Sequence, residues 1–197
     1  MANNKSPFAD HRIIVGLTGG IACYKIADLV STLVQSNNIV DVAMTEAATR
    51  FIAPLTFASL TGRTVFDSQW KHIDTCEPQH IKLARSVEAM LIAPCTMNML
   101  AKLANGFADD PISLIASAIN KKTTPVILAP SMNQTMLSQQ STQRNLQTLA
   151  EDGYTVLDCE EGWQACRTEG AGRLPEPEVL LHVLAQALNR KSTMSSC

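Results

Sequence analysis

Polar side chains follow two apolar runs of this sequence and could bind a ligand there. Residues 126–128 are an apolar run typical of a buried strand, and Pro130 and Asn133 come where the chain should turn into a helix. Residues 89–93 are a second such run, ended by Pro94 before another polar segment. Ligands bind beyond the carboxyl ends of strands in an open α/β sheet, where the Asn133 amide could hydrogen-bond a carboxylate. It could equally cap the next helix, but the repetition favours a site built from strand ends.

A glycine-rich turn near the start of the chain could hold a phosphate. Residues 13–17 predict a first strand, and Thr-Gly-Gly at 18–20 forms a turn before a helix with apolar residues at the 3.6-residue period. Backbone N–H groups and the helix N-terminus can then face a bound anion. The spacing is not the dinucleotide fingerprint, and a tight turn without a ligand is an equally good interpretation. Thr45, after the second predicted strand at 39–44, could reach the same phosphate or cap a helix.

Two further residues are candidates for chemistry, and each also has a simple structural interpretation. His80 follows an aperiodic segment, 64–79, which reads as a loop, and precedes a short apolar turn. Histidine in such a place is more commonly a surface or capping residue than a catalyst. Cys166 lies in a second predicted loop, 158–175, where on its own it reads as an inert thiol.

Composition argues against several classes of protein. The 197 residues are 46% apolar and 17% charged, typical of one globular domain large enough for a sheet covered on both faces. A net charge of −2 without a basic run argues against nucleic acid, and polar breaks in the apolar segment 89–108 argue against a membrane span. The six cysteines form no Cys-x-x-Cys pair, so we expect no metal site. Because residues 1–12 lack the apolar core of a signal peptide, we expect reduced thiols and a cytoplasmic protein.

Predicted strands alternate with predicted helices along the chain. Further strands are expected at 125–129 and 154–157, and helices at 54–60, 110–120, 141–152 and 176–190. This alternation predicts an α/β fold, a three-layer, Rossmann-like or flavodoxin-like parallel sheet with helices on both faces. We expect a single domain, 13–190, between mobile tails at 1–12 and 191–197.

Segments spread over about residues 13–188 resemble those of the homo-oligomeric flavin-containing cysteine decarboxylases. The first half contributes Gly-Leu-Thr-Gly-Gly-Ile-Ala at 16–22, Met-Thr-Glu-Ala-Ala at 44–48 and His-Ile at 80–81. The second half contributes Pro-Cys-Thr-Met-Asn at 94–98, Pro-Ser-Met-Asn-Gln-Thr-Met at 130–136, and Ala-Cys at 165–166 followed by Glu-Gly-Ala-Gly-Arg. The glycine turn alone is weakly specific, whereas the Pro-x-Met-Asn-x-x-Met segment in this order is strongly so.

The resemblance implies a bound FMN and assigns residues to it. The glycine turn and the threonine after the second strand would hold its phosphate, and the segment after Pro94 would border the ribityl chain and ring. The implied cofactor-binding residues are Thr18, Gly19, Gly20, Ile21, Thr45, Thr96, Met97, Asn98, Met99 and Met132. The resemblance also implies homo-oligomers, as trimers or dodecamers of trimers, with the active site at a subunit interface.

The activity implied by the resemblance is FMN-dependent decarboxylation of 4′-phospho-N-pantothenoylcysteine to 4′-phosphopantetheine in coenzyme A biosynthesis. Oxidation of the thiol-bearing carbon would give a thioaldehyde, which can lose carbon dioxide to form an enethiolate. His80 would be the base of the oxidation, since imidazole titrates near neutral pH. Asn133 would hold the substrate carboxylate, and Ala165 and Cys166 would contact the substrate. Cys166 would then supply a proton for a final reduction that peptide-processing relatives lack.

The sequence departs from the family pattern at four positions. Arg167 stands in place of a glycine, Cys95 and Met97 in place of alanines, and Leu137 in place of a common aromatic residue. Arg167 leaves the position of Cys166 open. The alternatives are a peptidyl-cysteine (lantibiotic-type) decarboxylase, a flavin prenyltransferase and a non-catalytic flavoprotein regulatory subunit. Many bacterial relatives carry a C-terminal ligase, so the chain is either a free-standing decarboxylase or a fragment.

Overall fold

The protein is represented by a computed structural model that describes residues 10–71 and 77–194. Residues 1–9 and 195–197 of the predicted tails, and 72–76 of the predicted loop, lie outside the described residues. The strands are β1 (Arg12–Leu17), β2 (Ile39–Met44), β3 (Ala89–Cys95), β4 (Val126–Pro130), β5 (Thr155–Val156), β6 (Glu160–Trp163) and β7 (Glu169–Arg173). The helices are α1 (Cys23–Gln35), α2 (Glu46–Thr49), α3 (Pro54–Thr61), α4 (Gln79–Ser86), α5 (Met97–Ala104), α6 (Pro111–Ala118), α7 (Gln134–Leu137), α8 (Gln140–Glu151) and α9 (Pro177–Met194).

Five strands form one sheet in the order β2-β1-β3-β4-β5, and every neighbouring pair is parallel. This is the flavodoxin-like strand order, which confirms the predicted fold. The chain adds β2 on one side of β1 and then β3, β4 and β5 on the other. The carboxyl ends of β1 and β3 therefore flank the topological switch point, the place where ligands bind in open sheets.

Helices cover both faces of the sheet because successive strand side chains point to opposite faces. On β1, Ile13 and Val15 join the core formed with α1, α3 and α9. Ile14 joins the opposite core, formed with α4, α5, α6 and α8. All three side chains are fully buried, and each such burial contributes about 1.5–3 kcal/mol to stability. Two filled cores hold the strand ends in place under the loops that follow them.

Pro130 ends its strand as the sequence suggested, but Pro94 does not. β3 continues through Pro94 to Cys95, and Cys95 pairs with Pro130, the last residue of β4. Proline lacks the backbone N–H group, but its carbonyl oxygen still accepts hydrogen bonds. The oxygen of Pro94 accepts from the backbone N–H of Thr18 at 3.3 Å. Both prolines are therefore part of the carboxyl edge of the sheet.

Two segments predicted to lack regular structure are regular. The turn expected after His80 is the helix α4, which is too short and too polar to show a clear apolar period. The loop expected at 158–175 contains the antiparallel hairpin β6–β7. Its strands hold Gly162, Gly170 and Gly172, which weaken a strand pattern because glycine has no side chain to pack. Pairing of the two backbones, and not apolar alternation, makes this hairpin.

Other boundaries shift by a few residues. β5 is limited to Thr155–Val156, and α9 ends at Met194 rather than at 190. Within the described ranges, none of the helices is long and apolar enough to cross a membrane.

Candidate functional site

A cavity of about 1200 Å³ lies at the carboxyl edge of the sheet, between the loops that follow β1, β2, β3 and β4. Pockets for small molecules are usually about 300–1,000 Å³, so this one has room for a cofactor and a substrate. Every candidate residue from the sequence except His80 lines it. These residues are Thr18, Gly19, Gly20, Ile21, Thr45, Thr96, Met97, Asn98, Met99, Met132, Asn133, Ala165 and Cys166.

The turn between β1 and α1 presents unpaired backbone donors to the cavity. Four successive N–H groups make no hydrogen bond to any described residue, those of Gly19, Gly20, Ile21 and Ala22. Such donors are expected at the start of a helix, where no preceding turn supplies an acceptor. A Cβ on Gly19 would lie 2.5 Å from the Cβ of Ala47, so glycine is needed for the turn to pack against the segment after β2. The row of donors suits an anion.

The hydroxyl groups of the three candidate threonines already make structural hydrogen bonds. Thr18 is buried, and its Oγ1 donates to the carbonyl oxygen of Pro94 at 2.6 Å and accepts from the N–H of Thr96 at 2.9 Å. These bonds join the end of β1 to the end of β3. Thr45 and Thr96 cap α2 and α5. Among the described contacts the Oγ1 of Thr45 only accepts, so its hydrogen is available to a ligand, and capping and ligand binding are compatible there.

Asn133 uses both halves of its amide. Its Oδ1 accepts from the N–H of Thr135 at 2.8 Å and caps α7, which confirms the capping interpretation. Its Nδ2 lies 3.3 Å from the Sγ of Cys166 and 3.5 Å from the Oε1 of Gln164, on the wall of the cavity. Because the cap sets the direction of the amide, the N–H groups face the site and can donate to an anion.

The β6–β7 hairpin brings Cys166 to the segment after β4 by packing closely against it. The N–H of Met132 donates to the carbonyl oxygen of Gly172 at 2.9 Å. A Cβ on Gly172 would lie 2.1 Å from the oxygen of Met132, and one on Gly170 would lie 2.0 Å from the Oε1 of Gln134. The φ of Gly172 is 124°, which also favours glycine. Gly170 and Gly172 therefore allow the hairpin to contact the segment after β4.

The thiol of Cys166 is exposed and shares a hydrogen bond of 3.0 Å with the Oγ1 of Thr168. Hydrogen bonds from Thr168 and then from Asn133 hold the pKa of Cys166 below its ordinary value. Desolvation by burial does the reverse elsewhere: it raises the pKa of Cys159 to about 11 and also raises that of Cys95. Among the described cysteines, only Cys166 has an exposed thiol with a lowered pKa, which disfavours the interpretation as an inert thiol.

Arg167 has a left-handed backbone conformation that favours glycine, the residue that the family resemblance expects there. Its φ is 65°, in the left-handed region that costs a residue with a side chain about 1–2 kcal/mol. The N–H of Arg167 donates to the oxygen of Gln164 at 2.9 Å, and the N–H of Gln164 donates to the oxygen of Thr168 at 2.9 Å. The tight turn that carries Cys166 therefore forms with arginine in place.

His80 lies apart from the cavity. It is on α4, which packs against α6, and it is not among the described residues that line the cavity. A role for its imidazole in this site therefore stays a prediction.

Several polar residues of the cavity wall had no pattern that singled them out in the sequence. The Nζ of Lys25 lies 2.8 Å from both carboxylate oxygens of Glu176, which also pairs with Arg173. Lys25 first, and then Arg173, lower the pKa of Glu176. Gln164 lies in the turn next to Cys166, and its place two residues before that cysteine is the signal that could have found it. Within the described ranges, no group of three or more His, Cys, Asp or Glu side chains is arranged to hold a metal ion.

Comparison with known proteins gives matches over most of the chain. A family model described as Flavoprotein matches residues 1–189. The coenzyme A biosynthesis bifunctional protein CoaBC of Bacillus subtilis is 39% identical over 178 residues, which are 90% of this chain and 42% of that protein. The chain thus spans less than half the length of the curated relatives it matches.

Two solved structures are similar over nearly their whole length. The FMN-dependent cysteine decarboxylase SpaF matches with a TM-score of 0.79 and 25% identity, over 94% of this chain and 99% of that one. A cysteine-to-serine mutant of a PPC decarboxylase, complexed with pantothenoylaminoethenethiol, also matches with a TM-score of 0.79 and 25% identity. That match covers 89% of this chain and 96% of the other.

Proposed function

Because this chain belongs to the flavoprotein family, we propose that it binds FMN and decarboxylates 4′-phospho-N-pantothenoylcysteine to 4′-phosphopantetheine, a step of coenzyme A biosynthesis. One observation carries the proposal: a thiol with a lowered pKa, Cys166, lies 3.3 Å from the amide of Asn133 on the wall of a large cavity. The names of the similar proteins, which include coenzyme A biosynthesis and PPC decarboxylase, support the choice of substrate.

The donors of the cavity fit the phosphate of FMN. The unpaired N–H groups of residues 19–22 and the hydroxyl hydrogen of Thr45 line the same space, and they can stabilise an anion by hydrogen bonds. Residues 96–99 and Met132 line the adjoining wall, where the ring would lie. Bound FMN would supply reversible hydride transfer: removal of a hydride from the thiol-bearing carbon would give the substrate the electron sink that a cysteine carboxylate lacks, and the hydride would be returned after decarboxylation.

Asn133 and Cys166 have separate roles in this proposal. The N–H groups of Asn133 donate to the substrate carboxylate and orient it until it leaves as carbon dioxide. The S–H of Cys166 then donates its proton to the substrate carbon beside the one that carries sulfur, and the resulting thiolate takes a proton back from water. A thiol with a pKa below its ordinary value is a better acid for that step. A thiol that must stay reduced fits the cytoplasm.

The proposal extends to a homo-oligomer, a trimer or a dodecamer of trimers, in which His80 of a second copy is the base. His80 is not among the described residues that line the cavity of its own chain, which supports a role across an interface. Six large apolar side chains are exposed around the cavity, and burying them between copies would stabilise an assembly. They are Ile21, Tyr24, Phe51, Trp70, Met136 and Trp163.

The test is to incubate the FMN-loaded protein with 4′-phospho-N-pantothenoylcysteine and to identify the products by mass spectrometry. We expect carbon dioxide and 4′-phosphopantetheine. The Cys166→Ser variant should release carbon dioxide and accumulate the unreduced enethiol. Cys159→Ser is the matched control, because Cys159 does not line the cavity, and it should behave as the unmodified protein. If the unmodified protein releases no carbon dioxide from this substrate, the proposal is wrong.

The second candidate is a decarboxylase of a peptidyl cysteine. The structure of SpaF, described as an FMN-dependent cysteine decarboxylase, matches with the same TM-score as the PPC decarboxylase, 0.79. An enzyme of that kind stops at the enethiol and has no use for a proton from Cys166. A protein that decarboxylates a cysteine peptide, with the same product before and after Cys166→Ser, would favour this candidate.

A further inference from the structure

Gln164 is a buried amide that touches both residues to which the proposed function gives a chemical role. Gln164 directly follows β6, and the residue is 8% exposed. The Nε2 donates to the carbonyl oxygen of Ala171 at 2.7 Å, which anchors the amide to β7. The Oε1 is thereby directed away from β7, and it lies 3.5 Å from the Nδ2 of Asn133 and 3.4 Å from the Sγ of Cys166.

The position of this amide depends on Gly172 of β7. A Cβ on Gly172 would lie 3.0 Å from the Nε2 of Gln164, which is tighter than most real contacts of a Cβ atom, so the amide would have to shift. Glycine therefore leaves the space in which the amide lies between β7 and the turn that carries Cys166. The side chain has one anchored end and one end directed at the site.

We propose that Gln164 is a positioning residue, which holds the thiol of Cys166 protonated and the amide of Asn133 turned toward the substrate; this role rests on the proposed function. The three partners of the thiol differ in kind. Thr168 and Asn133 can each donate a hydrogen to the sulfur and so favour the thiolate. The Oε1 of Gln164 can only accept, so it interacts favourably with S–H and unfavourably with the thiolate.

The proton balance of the thiol follows from these contacts. Donors alone would make Cys166 a thiolate more often, and a thiolate cannot give a proton to the substrate. The acceptor opposes them and keeps the proton on sulfur until the substrate carbon takes it. The same oxygen accepts from Asn133, so one amide sets the orientation of both neighbours.

No charged group hydrogen-bonds to the thiol in the described part of the chain, so none replaces the Oε1 of Gln164 as its acceptor. The charged residues of the hairpin and its turn are Glu160, Glu161, Arg167, Glu169 and Arg173, and Arg173 lines the same cavity. None of these five is hydrogen-bonded to the sulfur among the described contacts, and the segment 131–138 that packs against the hairpin carries no charge.

The experiment measures the rate at which iodoacetamide alkylates Cys166 between pH 6 and 10, by mass spectrometry of the peptide that contains it. The variant Gln164→Leu removes the acceptor, so the alkylation profile should move to lower pH, with an increase of about threefold or more in rate at pH 7. The variant Gln164→Glu places an anion beside the sulfur, so its profile should move to higher pH and its rate at pH 7 should fall. A variant that merely loosens the fold would move both profiles in the same direction.

Gln143→Leu is the matched control. Its amide also donates to a backbone carbonyl, that of Leu137 at 2.7 Å, but it does not line the cavity, so its profile should match that of the unmodified protein. An unchanged profile in Gln164→Leu, or a shift of the same sign in both variants, overturns the role of Gln164. The alkylation needs no substrate, so this result is distinct from a failure of the proposed function, which shows as absence of carbon dioxide from the unmodified protein. When decarboxylation occurs, Gln164→Leu should also raise the fraction of turnovers that end at the enethiol.

Discussion

The Sγ of Cys166 lies 3.3 Å from the Nδ2 of Asn133, although 33 residues separate them in the chain. The contact exists because the β6–β7 hairpin packs against the segment after β4, where Gly172 leaves room for the backbone of Met132. The oxygen of the same Asn133 amide caps α7. One side chain thus both begins a helix and lowers the pKa of the thiol.

Replacing Asn133 should separate its capping role from its role toward the substrate. Asn133→Asp keeps an oxygen that caps equally well, so thermal stability should stay close to that of the unmodified protein. Its charge would repel the substrate carboxylate, and kcat/KM for decarboxylation should fall about tenfold or more, since hydrogen bonds to charged groups are worth about 1.5–3 kcal/mol. Asn133→Ala should lose activity and also about 1 kcal/mol of stability. Full activity in Asn133→Asp would rule out the role in binding the carboxylate.

The reactivity of Cys166 should depend on Thr168, whose hydrogen bond contributes most to the lowered pKa. At a given pH the fraction of thiolate falls as the pKa rises, so Thr168→Ala should slow the alkylation of Cys166 by iodoacetamide at pH 7. Cys159, with a pKa raised to about 11, should react much more slowly than Cys166 in the same sample. Thr148→Ala is the matched control, because that hydroxyl bonds only to the helix backbone at Arg144. Equal rates for Cys166 and Cys159 would contradict the geometry.

Because Gly172 lies so close to Met132, replacing it should cost more than the backbone strain of a side chain at a positive φ. Gly172→Ala should displace the hairpin, because the new Cβ would meet the oxygen of Met132 at 2.1 Å. Gly153→Ala is the control, since Gly153 also has a positive φ, 87°, but nothing lies within 4 Å of a new Cβ. The control should lose about 1–2 kcal/mol in urea unfolding. Gly172→Ala should lose more stability than this and should release the enethiol instead of the reduced product. If the two variants behaved alike, Gly172 would not be needed for packing the hairpin against the segment after β4.

The glycine turn should bind FMN only while it can pack against the segment after β2. Gly19→Ala should weaken FMN binding at least tenfold in a fluorescence titration, because the new Cβ would lie 2.5 Å from the Cβ of Ala47. Removing that partner atom should recover part of the loss, so the double variant Gly19→Ala with Ala47→Gly should bind FMN better than Gly19→Ala alone. No recovery in the double variant would mean that the clash is not the cause.

A shared active site predicts that two inactive variants can restore each other. Co-expressed His80→Asn and Cys166→Ser chains should form mixed oligomers in which some sites receive both native residues from different copies. Those sites should make 4′-phosphopantetheine, although each variant alone makes little. Mixing Cys166→Ser with Asn133→Asp is the control, because both residues belong to one cavity and no site would be complete. Turnover by His80→Asn alone at the full rate would remove the histidine from the mechanism.

The sequence was most informative where local pattern and burial agree. Continuous apolar runs such as 13–17 and 89–93 are typical of strands buried on both faces, so the parallel sheet was predictable from their alternation with helices. The strand order came only from the tertiary structure. The hairpin β6–β7 was not predictable either, because Gly170 and Gly172 lack the side chains on which a strand pattern depends. The helix α4, which carries His80, was not predicted because its eight residues are mostly polar.

The residues of the site were visible in the sequence as motifs, because strand ends, glycine turns and capping residues are local features of the chain. The contacts among these residues were not visible in the sequence. The donors that contact the thiol of Cys166, the burial of Gln164 beside it, and the place of His80 outside the described lining of the cavity all depend on contacts between segments far apart in the chain. A sequence records which side chains are available, whereas hydrogen bonds and pKa values depend on distances of a few ångströms that exist only after the hairpin has packed against the sheet.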